Sequence, residues 1–276
     1  MPLWKVLLED LRFVLLYVFG FFKNGLKTQT VLFFPEFPTK RSEMYKLVKS
    51  LGYNITNNPK FTRQVEIYWK NDTFRKPWNE LGVFQSKPIN GNCTDISKVF
   101  VDQKHLEVFG YQTQVDPLTH QGKFVQKGDL NALHDGKILT EPISQKEEGY
   151  IYQILIDNSS DGYVNDYRTP YYFGEIPYVV VRSRKIEERF GGHSQKSKMY
   201  KTEDVFTADE IAKVKAIAKA VGLNCGDLDV LRDNASKKIY VVDINPTPWP
   251  PKGLPNEDRK RLFEELRTLF IRYSLD

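Results

Sequence analysis

Two acidic runs in the C-terminal part of the chain hold the residues best suited to chemistry. They are Cys225-Gly226-Asp227-Leu228-Asp229-Val230-Leu231-Arg232 and Tyr240-Val241-Val242-Asp243-Ile244-Asn245-Pro246. Apolar β-formers surround the carboxylates, and the polar residues 233–238 separate the runs, which is the pattern of a hairpin with a loop of several residues. With the turn centred on Ser236, Asp229 falls opposite Asp243, and Asn245 projects to the same face two residues on. Facing residues in such a pair have Cβ atoms about 5 Å apart. Two carboxylates there repel unless one takes a proton or a cation lies between them. Two Asp and an Asn amide oxygen form a hard oxygen set that suits Mg²⁺, with Mn²⁺ as a substitute. The same residues also fit a surface hairpin with solvated acids, and a register slip of one residue would put the two carboxylates on opposite faces.

Basic residues supply the counter-charge. Lys127 ends the apolar run Phe124-Val125-Gln126-Lys127 and enters a loop carrying Gly128, Asn131 and Gly136, where an ammonium and loop N–H groups can meet phosphate. Lys98, at the start of a helical stretch, can point into the same space. Arg182 and Arg184 are two residues apart on one strand and share a face, and Arg168 joins them if its strand pairs with theirs. Clustered guanidiniums need an anionic partner, be it phosphate, a carboxylate or the Asp229/Asp243 group; the alternative is the charged outer face of an antiparallel sheet. His105, His120, His134 and His193 are dispersed, and neither they nor Cys93 and Cys225 have metal-ligand spacing. No nucleophile elbow is present. So few cysteines point to a reducing, cytoplasmic setting.

These side chains need a scaffold, and 276 residues with 41% hydrophobic and 27% charged side chains can build a large core in two or three closely packed lobes. Lys and Arg exceed Asp and Glu by five (40 − 35). That excess suits an anionic small ligand as well as a nucleic acid, but the basic residues are scattered rather than run together, so a nucleic-acid partner is not expected. The apolar run from Phe13 to Phe22 is too short to span a bilayer, and Lys23-Asn24-Gly25 after it is not a signal-peptide ending. It reads as a buried or partner-facing helix, with peripheral membrane contact as the alternative and no stable insertion.

Thr30–Phe34 reads as a buried strand, Arg41–Ser50 as a helix ended by Gly52, and Val65–Trp69 as a second strand. That is a βαβ unit without a glycine-rich dinucleotide fingerprint. Lys98–Phe109 is helical, with Val99, Val108 and Phe109 on its apolar side. Tyr150–Ile156 is a buried strand. Tyr163–Pro170 and Tyr178–Arg184 are strands joined by a turn at Gly174-Glu175. Thr207-Ala208-Asp209-Glu210 is a capping box. It opens a helix whose Ile211, Val214, Ile217, Ala218 and Val221 share one face, ending at Gly222. Asn256 caps a last amphipathic helix with Leu262, Phe263, Leu266, Leu269 and Phe270 inward. The basic, aromatic stretch 185–200, with Arg189, Phe190 and His193, reads either as a lid over an anionic acceptor or as a solvated loop. The proline-rich Pro246–Pro251 is stiff and offers Trp249 beside Asn245.

The order lysine, lysine at a strand end, apolar linker strand, arginine strands, Asp, then Asp-x-Asn on a hairpin resembles the ATP-grasp superfamily. The likeness runs from about Asn90 to Pro251 and is sharpest at Gly226-x-x-Asp229 and Asp243-Ile244-Asn245-Pro246. It looks most like the bacterial ATP-grasp proteins of polysaccharide and secondary-metabolite clusters. The resemblance implies an α/β (α+β) chain divided into an N-terminal helix and βαβ lobe (1–89), a small lobe (90–149) and a large lobe (150–276), with ATP between the last two. It implies Mg²⁺ on Asp229, Asp243 and Asn245, and phosphate held by Lys98 and Lys127. Adenine would lie along Gln153, Ile154 and Leu155, with ribose near Asp157. Arg168, Arg184 and Arg182 would stand at the transferred phosphoryl group. The implied reaction is ligation of a small carboxylate to an amine or thiol through an acyl phosphate. Nucleotide binding without turnover and phosphorylation of a sugar are the alternatives, and nothing in the pattern speaks against an oligomer. Many members carry Glu where Asp243 stands here, the loop after Lys127 has fewer glycines than many, and Gln153 replaces a frequent acid.

Overall fold

The computed structural model describes residues 28–131, 133, 135–191 and 196–275, together with 11, 14, 15, 17–23 and 26. The first sheet holds β1 (Thr30–Pro35), β2 (Asn54–Thr56) and β3 (Val65–Trp69), all parallel in the order β2-β1-β3. Helix α1 (Glu43–Ser50) crosses between β1 and β2, starting at Ser42, whose side chain accepts the Tyr45 N–H. The expected βαβ unit is β1, α1 and β3, and the short β2 between α1 and β3 was not read from the sequence; the buried strands read as continuous apolar runs because both faces are covered. Val31, Phe33, Leu47 and Ile67 pack there with Leu262, Leu266 and Phe270 of the last helix, α5 (Asn256–Leu275). Asn256 is the first helical residue rather than the cap, since the Pro255 carbonyl already accepts the Arg259 N–H.

The second sheet is antiparallel, β5-β4-β6, from β4 (Phe124–Gly128), β5 (Lys137–Leu139) and β6 (Tyr150–Ile154). β6 ends at Ile154, two residues before its apolar run does; the next N–H, of Leu155, goes to Lys123 O. The third sheet runs β10-β9-β8-β11-β12, from β8 (Tyr163–Tyr172), β9 (Val179–Lys185), β10 (Lys196–Tyr200), β11 (Cys225–Arg232) and β12 (Ile239–Asn245), with the short β7 (Ser159–Ser160) on β8. All its pairs are antiparallel. One face is apolar and covered by helix α4 (Ala208–Ala220) through Val214, Ile217 and Ala218, after a one-turn helix α3 (Thr202–Val205). The expected capping box at Thr207 and Glu210 is formed.

Helix α2 (Lys98–Phe109) lies on this same covered face, against β12 and α4. Its buried side is Val101, Asp102 and His105. Val108 and Phe109 pack at its edge as expected, whereas Val99 is exposed. The reason is polar: Asp102 accepts the Thr113 N–H at 2.8 Å, and the His105 ring stacks on Phe109 and Tyr240, so these two polar side chains claim the inward stripe.

A bracket at Asn90 joins the first unit to the third sheet. Fully buried, Asn90 accepts the N–H groups of Asn224 and Cys225 at 2.8 and 2.9 Å and donates to Cys225 O at 2.7 Å. Asn90→Ala should therefore strand three buried backbone groups at the start of β11 and lower unfolding free energy by about 2–4 kcal/mol, measured by urea denaturation with an unchanged m-value.

Candidate functional site

The uncovered face of the third sheet carries alternating charge. Register places Asp229 opposite both Asp243 and Arg168, Asp227 opposite Asn245, and Asp166 opposite Arg182. The expected pairing of Asp229 with Asp243 is present, but by a route the even hairpin did not include. Nearer the turn the pairs are Val230–Val241 and Arg232–Ile239, and a bulge between Asp229 and Val230 leaves Val242 as the extra residue. Gly226 makes the close approach of β11 to β12 feasible, since a Cβ there would lie 2.5 Å from Asn245 O.

This face and the β4–β6 sheet wall a cleft of about 460 Å³. It brings together Lys98, Lys127, Gln153, Ile154, Leu155, Arg168, Arg182, Arg184, Asp229, Asp243 and Asn245. Asp157 is not among its walls: it is exposed, and its carboxylate accepts the Ser159 N–H. Its neighbour Asn158 lines the cleft instead and accepts from Arg189 Nη1 at 2.9 Å.

The arginines are paired rather than free. Arg168 binds Asp227, Arg182 donates to Asp229 Oδ2 at 2.8 Å, and Arg184 binds Asp166. The clustering thus has its anions built in. Arg184 also donates to the carbonyls of Arg189 and Gly191 at 3.0 and 2.8 Å, so it ties down the turn after β9. That turn sets Phe190 over Gly136, where a Cβ would meet the ring at 2.4 Å, and the two loops close the cleft from opposite sides. His134 and His193 lie outside the described residues.

Three expected ligand groups differ in availability. Asp243 Oδ1 is buried without a hydrogen-bond partner among the described residues. Burial first, and the Asp229 charge second, push the Asp243 carboxyl up to about 6, against the pull of Lys98 and Lys127. Burial would raise Asp229 too, but Arg182 and Arg168 outweigh it and hold that carboxyl below its usual range. Asn245 Oδ1 accepts the Thr247 N–H at 2.9 Å, an Asx turn that opens the proline-rich segment. An oxygen set of one free buried carboxylate oxygen, a second carboxylate and an amide still fits a hard cation. Among the described residues no group of three or more His, Cys, Asp or Glu has metal-site geometry.

Opposite, burial pushes the Lys127 ammonium down to about 8, with Asp243 opposing the shift. Lys98 Nζ donates to Leu130 O at 2.6 Å. The loop N–H groups expected to meet phosphate are partly used: Gly128 N donates to Asp135 and Asn131 N to Thr73 Oγ1. Asp227, Asp166, Arg189 and Phe190 also line the cleft. The two acids were readable from alternation, since each stands two residues before a chosen one.

No family profile and no curated protein matches the sequence. Solved structures do. D-alanine–D-alanine ligase from Bacillus anthracis, complexed with ATP, is 14% identical with a TM-score of 0.51, over 90% of this chain and 97% of that one. The fold is ATP-grasp. Similar too are the ATP-grasp ligase PsnB complexed with minimal precursor (15% identity, TM-score 0.43, 70% of this chain) and the macrocyclase MdnC of Microcystis aeruginosa MRC bound with precursor peptide MdnA (11%, 0.48, 89% of this chain and 100% of that one). The chain spans 66% of PsnB, just under two thirds. In this ATP-grasp fold the N-terminal βαβ unit is followed by the second and third sheets.

Two outcomes follow from the charges. A carboxyl raised from 3.8 to about 6 binds more protons folded than unfolded in that window, so it lowers stability as pH rises through it. Asp243→Asn should melt above wild type at pH 7 by about 1–3 kcal/mol of stability, with the gap closing below pH 4; a gap independent of pH would contradict this. Arg184→Met should cost about 3 kcal/mol in chemical denaturation, because it leaves Asp166 buried with Arg182 3.9 Å away.

Proposed function

We propose that the chain is an ATP- and Mg²⁺-dependent ligase that joins a small carboxylate to an amine or thiol through an acyl phosphate. The observation that carries this reading is Asp243: a buried carboxylate oxygen with no hydrogen-bond partner among the described residues, facing a second carboxylate, in a cleft whose other wall presents Lys127 and Lys98. Such a site is electrostatically incomplete without a cation, and the lysines are incomplete without an anion; Mg²⁺ on a nucleotide triphosphate supplies both. Asp243, Asp229 and Asn245 would hold the cation, which when bound neutralises charge on the phosphates. We take 1–89, 90–149 and 150–276 as the three lobes.

The chain's own groups then have distinct tasks. Lys127 and Lys98 grip phosphate oxygens, and a ligand anion restores the full charge that burial weakens on Lys127. Ile154 and Leu155 N–H groups are engaged by Thr113 and Lys123, so a base beside the linker would be met by other linker groups and by apolar contact with Leu231 and Val242. Arg182 and Arg168 face the cleft while held by Asp229 and Asp227, pre-oriented to stabilise charge that grows on the transferred group. Arg184 supports them by fixing Asp166 and the 189–191 turn. In the reaction the carboxylate oxygen attacks the γ-phosphorus and ADP leaves; the amine then attacks the acyl carbon, inorganic phosphate leaves and one proton is released. Phe190 and Gly136 would limit water entry during that interval.

One observation favours a second reading, nucleotide binding without turnover: Arg168, Arg182 and Arg184 are each already paired with an acid, which lowers the positive charge left for a reacting group. A kinase acting on a sugar shares the ATP half of the site and differs in its acceptor. ADP release measured over a panel of carboxylates with and without amines separates the three: the ligase needs both, the kinase needs a hydroxyl compound alone, and the binding module releases none. Calorimetry adds a direct test of the site. Asp243→Asn and Lys127→Met should each weaken Mg·ATP binding at least about tenfold, or 1.4 kcal/mol, and unchanged affinity in both would remove the basis for the assignment.

A further inference from the structure

Most of the described residues in the N-terminal apolar run are exposed. The described residues 11, 14, 15 and 17–23 are helical. At 100° per residue, Leu11, Val14, Leu15, Val18, Phe19 and Phe22 fall within an arc of about 140°, and all six are exposed, Phe19 by 71% and Phe22 by 66%. The opposite side of the helix is fastened to the protein. Gly20 lies backbone to backbone on Ser50 and Gly52, with room for no Cβ (2.3 Å to Ser50 O), and Tyr17 donates to Asn54 Oδ1. The helix is therefore docked by its small-residue side and holds its large apolar side outward. That arrangement is the reverse of a core helix, and so contiguous an exposed apolar face marks an interaction surface.

What lies beside it selects the partner. Among the described residues, a groove between this helix, α1 and α5 is lined by Lys23, Lys46, Arg259, Lys260 and Arg267 and by one acid, Glu264, which pairs with Lys23 at 3.3 Å. Basic groups thus outnumber acidic ones along the Phe19 edge among the described residues. A second copy related by two-fold symmetry would set this basic rim against itself. An anionic lipid surface matches both parts, since apolar side chains enter the acyl boundary while lysines and arginines meet headgroup charge. No described helix is long and apolar enough to cross a membrane, which agrees with a helix lying in the interface plane.

We propose that the exposed arc formed by Leu11, Val14, Leu15, Val18, Phe19 and Phe22, with its basic rim, docks this protein on an anionic lipid bilayer. The inference is independent of the ligase reading, because none of these residues lines the nucleotide cleft. The test is vesicle co-sedimentation of the full chain. Binding is expected to vesicles of phosphatidylcholine with phosphatidylglycerol, weaker binding to phosphatidylcholine alone, and a fall as salt is raised. Phe19→Ser/Phe22→Ser should lose at least about tenfold in partitioning, and Lys260→Glu should lose the preference for phosphatidylglycerol, with melting temperature and Mg·ATP affinity unchanged in both. Absence of binding to either vesicle would overturn the proposal. So would a dimer in sedimentation velocity that the double variant abolishes, which would give the face to a second copy. Vesicle binding unchanged in both variants would overturn it as well.

Discussion

Like charge held at close quarters in a poorly solvated place is what the third sheet is built around. Asp229 and Asp243 face each other across β11 and β12, and Asp227 and Asp166 share their face. Four carboxylates there would be untenable without compensation. Arg168, Arg182 and Arg184 supply it from the central strands, each bonded to a different acid. No arginine among the described residues pairs with Asp243 on β12; Lys98 and Lys127 of the facing wall and the Ile244 N–H favour its charged form. That asymmetry gives the cleft its character: a floor of paired charges with one edge whose carboxyl is raised to about 6. The same arginines carry order outward, since Arg184 holds the turn that brings Phe190 to Gly136.

Support for this face comes from behind and from the N-terminal unit. The opposite side of the sheet is apolar and packed under α4 and α2, so strand alternation alone decides that every charged residue named above faces the cleft. Glu43, at the start of α1, accepts the Tyr172 hydroxyl at 2.8 Å deep under Arg168 and Asp227; burial, then the Asp227 charge, pushes its carboxyl up to about 7. With the Asn90 bracket, this makes the first sheet part of the foundation of the third.

Periodicity made most of the scaffold legible. The βαβ unit, α2, the capping box at Thr207 and the strands bearing Arg168, Arg182 and Arg184 follow from runs of apolar residues and their punctuation. Asp229 opposite Asp243 followed from symmetry about Ser236, although the bulge at Val242 has no local signature and happened to restore that register. Pairing was the less legible part. Alternation says which residues share a face but not whether a guanidinium meets a ligand or a neighbouring strand's carboxylate, because that depends on how far one strand is displaced against another. Asp157 stands outside the cleft for a related reason: β6 ends at Ile154, and the chain then turns, presenting Asn158 to the cleft. The exposure of the N-terminal helix was hidden because an apolar run has the same appearance whether it is covered or not; Gly20 against Gly52 decides which side docks.

The central claim is that Asp243 and Asp229 hold a cation that bridges to nucleotide phosphates gripped by Lys127 and Lys98. Anomalous diffraction from crystals grown with Mn²⁺ and a non-hydrolysable ATP analogue tests it directly. The expected result is an anomalous peak about 2.1 Å from Asp243 Oδ1, in contact with the Asp229 carboxylate and with phosphate oxygens that Lys127 also reaches. Nucleotide bound with its phosphates away from Lys127, or Mn²⁺ bound without Asp243, would contradict the account.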